Sequence, residues 1–154
     1  MTVEFSDDQD DPLGSDWLTS LGEIVLKGEG LDYGAVVSIN LVGPDAIAAL
    51  NERHLGRAGP TDVLAFPIED FVPGEVPATT AGGPPLLVGD VVICPVVVRR
   101  QAAESAVAFD DEMALMVVHG ILHLLGYDHE VAADAERMEQ RERELLGAAG
   151  RSRP

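Results

Sequence analysis

A chain of 154 residues with 46% hydrophobic side chains fits one compact domain with one core. Its 27 acidic residues against 10 basic ones leave a net charge of −17, which disfavours long-range attraction to nucleic acid over the surface as a whole. The single cysteine, Cys94, excludes a disulfide framework and a thiolate zinc site within one chain, so any bound ion has to be held by histidine or carboxylate.

The opening residues "MTVEFSDDQDD" are acidic where a secretory signal has a basic start and an apolar stretch, and no run of about 18 apolar residues follows. A cytoplasmic protein that does not enter the membrane is expected. Residues 1–14 read as an acidic flexible segment or a frayed first strand, with a single globular domain over residues 15–150. Ser15 stands as N-cap to a helix whose apolar positions Trp17, Leu18, Leu21, Ile24, Val25 and Leu26 recur at helical spacing until "KGEG". "AVVSINLVG" is a strand, and "GPDAIAALNERHL", with Pro44 and Asp45 at its start, is a second helix. "TDVLAFP" is a short strand. Residues 68–85, rich in Pro, Gly and Thr, form a long loop of the kind that is often functional in a small domain.

"LLVGDVVICP" is an apolar strand interrupted by Asp90, and "VVVRRQAAESA" after Pro95 is a third helix. A fourth helix from Asp110 to Leu125 is apolar almost all round and hence buried; the last, "DAERMEQRERELLGAAG", is strongly charged with Met138, Leu145 and Leu146 inward. This order indicates an α/β or α+β domain with a small mixed central sheet and helices packed on it.

Three of the four histidines fall on the buried fourth helix and the turn after it, "VVHGILHLLGYDHE". His119 and His123, four residues apart, lie on one helix face about 6 Å apart, within reach of one ion. Gly126 tolerates the left-handed backbone of a helix end, so the chain can turn back and bring His129 to the same ion. Three imidazoles leave a tetrahedral ion one open position, the arrangement of a catalytic zinc site. Three separately satisfied buried histidines are a poor alternative, because such a cluster repels itself on protonation. Zinc, about one ion per chain, is the first choice, with another divalent ion as the alternative. Glu112, seven residues before His119 on about the same stripe, is placed either to accept the far N–H of a ligand or to face solvent at the helix start.

The spacing matches the metzincin protease motif H-E-x-x-H-x-x-G-x-x-H except that Gly120 replaces the glutamate that takes a proton from water. "HGILHLLGYDH" instead resembles the signature of the YbeY family of metal-dependent endoribonucleases. "LN" at Leu50-Asn51 with "PTDVLAFP" at Pro60 to Pro67, and "VGDVVIC" at Val88 to Cys94, resemble the family's other two blocks, in the same order. The resemblance spans roughly residues 30–147. It implies one α/β domain, a zinc site of His119, His123 and His129, and single-strand-specific cleavage of RNA. The implied setting is maturation of the small-subunit rRNA 3′ end and ribosome quality control, with rRNA, the small subunit and an assembly GTPase as partners and no DNA.

In the family's L-N-x-x-Y-R pattern the arginine is regarded as functionally important; here His54 and Leu55 stand in the last two positions. Arg57 or Arg53 is then the guanidinium offered to a phosphodiester, and Arg57 is the choice alongside His119 as the catalytic pair, with Arg99 and Arg100 as further members of a local basic rim. Asp62 lines the cleft or satisfies its own turn; Asp90 is a support of the site or a strand irregularity; Asp128 orients a ligand; Tyr127 packs. The rival functions are a zinc-stabilised ribosome-assembly factor without catalysis of its own and a zincin-like metallopeptidase.

Overall fold

Ala35, Val37, Ile39 and Leu41 are fully buried while the residues between them are only half-buried, the period of two that marks a strand packed on one face. This strand, β2 (Ala35–Leu41), lies between β1 (Thr2–Asp7) and β4 (Leu86–Ile93), parallel to both, and β3 (Val63–Pro67) pairs antiparallel with β4 to complete the order β1-β2-β4-β3. The computed structural model describes residues 1–14 and 16–154, so the N-cap expected at Ser15 lies outside the described residues. Five helices accompany the sheet: α1 (Asp16–Gly28), α2 (Pro44–Leu55), α3 (Pro95–Glu104), α4 (Phe109–Leu124) and α5 (Ala132–Ala148). The mixed α/β domain is the one expected, with element ends within a few residues of those read from the pattern.

Helices α1 and α4 bury the β2 side that carries Val37 and Ile39, joined by Met138, Leu145 and Leu146 of α5. On the opposite side α2 sets Ile47 and Leu50 against Leu64, Phe66 and Val92. Residues 1–14 depart from the flexible reading. Thr2–Asp7 form a paired strand because Val3 and Phe5 alternate inward against the core, an apolar period that outweighs the acidic residues around it. The sheet therefore begins well before residue 15. The turn after β1 is pinned by the Asp7 carboxylate, which accepts the backbone N–H of Leu13 at 2.7 Å. Residues 68–85 carry no helix or strand, as expected, yet they are anchored: Phe71 and Val76 pack on the core, and Arg137 donates to the Pro73 carbonyl at 3.1 Å.

Helix α4 is the central element, touching α1, α3, α5, β3 and β4. Its first turn carries Asp110, Asp111 and Glu112, which suit the positive end of the helix dipole, and from Met113 to Leu124 nearly every residue is buried. It lies close on the sheet because Gly120 has no side chain: a Cβ there would stand 2.5 Å from Val91 Cγ1. A glutamate at this position, as in the protease motif, has no room. Replacing Gly120 by alanine is expected to introduce overpacking worth about 1–3 kcal/mol against a gain of about 1 kcal/mol in helix propensity, because the buried, β-branched Val91 has little freedom to yield. The urea unfolding midpoint should fall; a rise would show that the α4–β4 seat is slack.

Candidate metal centre

The last two turns of α4 present His119 and His123, and the chain reverses immediately after them. Gly126 (φ +97°) donates to the His123 carbonyl and Tyr127 N–H to the Leu122 carbonyl, both at 3.1 Å. Only glycine serves here, since a Cβ would fall 2.0 Å from the Phe71 carbonyl oxygen of the 68–85 loop as well as being strained. The reversal delivers His129, whose backbone N–H is held by Asp128 Oδ1 at 2.7 Å. The three ring centroids stand 4.6, 5.0 and 5.4 Å apart, and one ligand atom from each imidazole lies within 4.8 Å of the others.

The donor set suits a borderline-soft divalent ion. Burial, then the neighbouring imidazoles of His119 and His129, push the His123 pKa down to about 4, so its ring is neutral at pH 7 with a lone pair free for coordination. His119 Nδ1 lies 3.3 Å from Glu142 Oε1, leaving Nε2 for the ion. Glu142 is only 2% exposed. Burial alone would raise its carboxyl, but His119 and Arg153, which donates from Nε at 3.2 Å, outweigh that and hold it below the usual carboxylate range.

The cluster sits in a cleft of about 640 Å³. Of the arginines considered for a basic rim, Arg57 lines this cleft and Arg53, Arg99 and Arg100 do not; Arg99 lies 4.0 Å over the Phe109 ring. Arg57 is placed by a tight helix end: Gly56 (φ +65°) closes α2, and the buried Asn51 donates from Nδ2 to the Gly59 carbonyl at 3.0 Å, fixing the turn between. Asp62 and Asp128 line the cleft, and Asp62 also accepts the Val63 N–H at 2.7 Å within its own turn. His54 is turned aside against Phe66, edge to face at 5.0 Å.

Glu112 and Asp90, each read as either a support of the site or a local feature of its own element, are not at the histidines. Glu112 is two turns from His119, about 10 Å along the helix axis, too far for a hydrogen bond. Burial raises its carboxyl, Asp62 adds to the rise and Arg153 opposes it. The carboxylate on the His119 far nitrogen is Glu142, from α5. Asp90 points to the sheet side opposite Val91 and α4, where it accepts from the Ser38 hydroxyl in a cross-strand chain continued by Asn40 and Ser6. Glu142 had a visible signal: it falls on the inward stripe of α5 between Met138 and Leu145, a charged residue among buried apolar ones.

Fold and site together define a small α/β protein with a three-histidine centre at the floor of an open cleft. The chain belongs to the YbeY family: the family model described as Endoribonuclease YbeY matches residues 4–150. Among similar proteins, the Endoribonuclease YbeY of Salinispora tropica is 41% identical over 152 residues, covering 96% of this chain and 92% of the relative. That of Halorhodospira halophila is 47% identical over 117 residues, 76% of this chain and 72% of the relative. A solution structure of a Thermotoga maritima protein matches with a TM-score of 0.59 at 30% identity, covering 96% of this chain and 91% of that one.

Replacing Glu142 by glutamine keeps shape but removes the charge that orients His119. Divalent-ion affinity is expected to fall about 10- to 100-fold in chelator competition, with helix content by circular dichroism unchanged. Wild-type affinity in that variant would show that His119 needs no carboxylate.

Proposed function

We propose that the protein is a zinc-dependent endoribonuclease that cuts single-stranded RNA, acting on rRNA during maturation of the small-subunit 3′ end and in ribosome quality control. The observation that carries the reading is the convergence of His119, His123 and His129 in the cleft that also holds Arg57, in a chain of the YbeY family. Held by these three imidazoles, a zinc ion would supply Lewis-acid chemistry, making water in the cleft a stronger acid near neutral pH. The chain's own residues do the rest. Glu142 holds the His119 tautomer, and the Arg57 guanidinium offers paired donors to phosphate oxygens as charge builds on them. Gly120 cannot take a proton, so the proton acceptor is sought among Asp62, Asp128 and Glu130, the carboxylates that line the cleft besides Glu142.

A net charge of −17 favours delivery of RNA by a partner, such as the small subunit or an assembly GTPase, over tight unaided binding. No described helix is long and apolar enough to cross a membrane, and a cytoplasmic setting is part of the proposal.

Elemental analysis of wild type beside His123→Ala, with cleavage of a single-stranded rRNA fragment and a duplex control scored in the same samples, tests the reading. About one zinc per chain and single-strand cleavage are expected in wild type, and both should be lost in the variant. One zinc without cleavage by wild type would shift the reading to a zinc-stabilised assembly factor.

A further inference from the structure

After α5 the chain folds back on itself instead of leading away. Gly150 takes a left-handed backbone (φ +74°), and Arg151 N–H closes on the Leu146 carbonyl at 2.8 Å. The Arg151 guanidinium then reaches both neighbouring helices: it donates to Asp111 Oδ1 of α4 at 3.1 Å and lies 4.7 Å over the Trp17 ring of α1. This strap fixes the start of the 151–154 segment, so that Arg153 comes down beside the cleft.

Arg153 Nε donates to Glu142 Oε2 at 3.2 Å, while Oε1 of the same carboxylate faces His119 Nδ1 at 3.3 Å. The two oxygens of one buried carboxylate are thus divided between a fixed cation and a histidine of the cluster. The Glu142 side chain is 2% exposed and Arg153 is 25% exposed, so the pair is partly shielded from water. Three groups from three separate parts of the chain, Arg153, Glu142 and His119, form one line of hydrogen bonds ending at the ion site.

From this geometry we infer that Arg153 is a positioning residue of the metal centre, setting divalent-ion affinity by holding Glu142 in the orientation that keeps His119 directed at the ion. The inference rests on the metal reading above. With Nη1 on the Pro154 carbonyl at 3.5 Å and Nη2 4.0 Å from Glu139, the guanidinium is itself held in place, so its Nε–H fixes the Glu142 oxygen in a way a mobile solvent cation would not. Removing it leaves Glu142 one fixed partner, His119, and a second oxygen that must seek water in a buried place.

The test is zinc affinity by chelator competition, with the visible absorption of the cobalt-substituted protein recorded alongside. Arg153→Ala is expected to weaken zinc binding roughly 10-fold, the lower end for groups behind a ligand, and to change the cobalt spectrum. Arg153→Lys, which keeps the charge but loses the planar group held at three nitrogens, should fall between. Arg100→Ala removes the same charge from the exposed side of α3, away from the cleft, and should leave both readouts at wild type. In a Glu142→Gln background the Arg153→Ala effect should vanish, since the two residues act through one path. Wild-type affinity and spectrum in Arg153→Ala, or an effect undiminished in the Glu142→Gln background, would overturn the inference. Wild-type protein that binds neither zinc nor cobalt would overturn the metal reading and the inference with it, a result distinct from either of those.

Discussion

How closely α4 can approach β4 is decided at Gly120, where Val91 occupies the space a side chain would need. That seat fixes the height of the helix over the sheet, and with it the depth at which His119 and His123 emerge. The left-handed turn at Gly126 starts from the same helix end, so the third imidazole inherits its position from the first two. The 68–85 loop adds a second constraint on that turn, because its Phe71 carbonyl lies where any larger residue at 126 would have to go. Two glycines, six residues apart, thereby convert an apolar helix into a rigid holder for three imidazoles.

The electrostatics are arranged against the average. The chain is strongly acidic, yet the buried carboxylate nearest the cluster is matched on both oxygens, by His119 and by Arg153. A buried charge with a partner on only one side would carry a large desolvation cost. Arg57 supplies the other cation of the cleft, and among the described residues no carboxylate pairs with it, which leaves its donors for an incoming anion. A net acidic surface with two placed cations in its cleft separates solubility from recognition.

Much of this was readable from the chain, and the reasons differ by element. The α4 pattern and the spacing of His119, His123 and His129 are local: helical period and one glycine are enough to bring them together. The β1 strand was half-hidden, since Val3 and Phe5 alternate for only a few residues among acidic neighbours. Glu112 illustrates the limit of helical-wheel reasoning, which places residues on a stripe but ignores rise along the axis. Glu142 and Arg153 are brought to His119 by tertiary packing of α5 on α4, a long-range relation that no local period encodes. Asp90 kept two readings for a simpler reason: a polar residue in an apolar strand is equally consistent with either side of the sheet, and here it lies beside the strand irregularity at Gly89 and accepts from a serine on the neighbouring strand.

The order of the parts along the chain has a consequence for how the protein is made. His119, His123 and His129 leave the site of synthesis as one contiguous stretch, while the carboxylate that steadies His119 follows 23 residues after it. The histidine stretch can therefore gather its three imidazoles from local structure alone, whereas the carboxylate beside His119 arrives only when α5 packs on α4. An ion taken up before α5 docks would be chosen by availability, and any discrimination by geometry would begin only once α5 is in place.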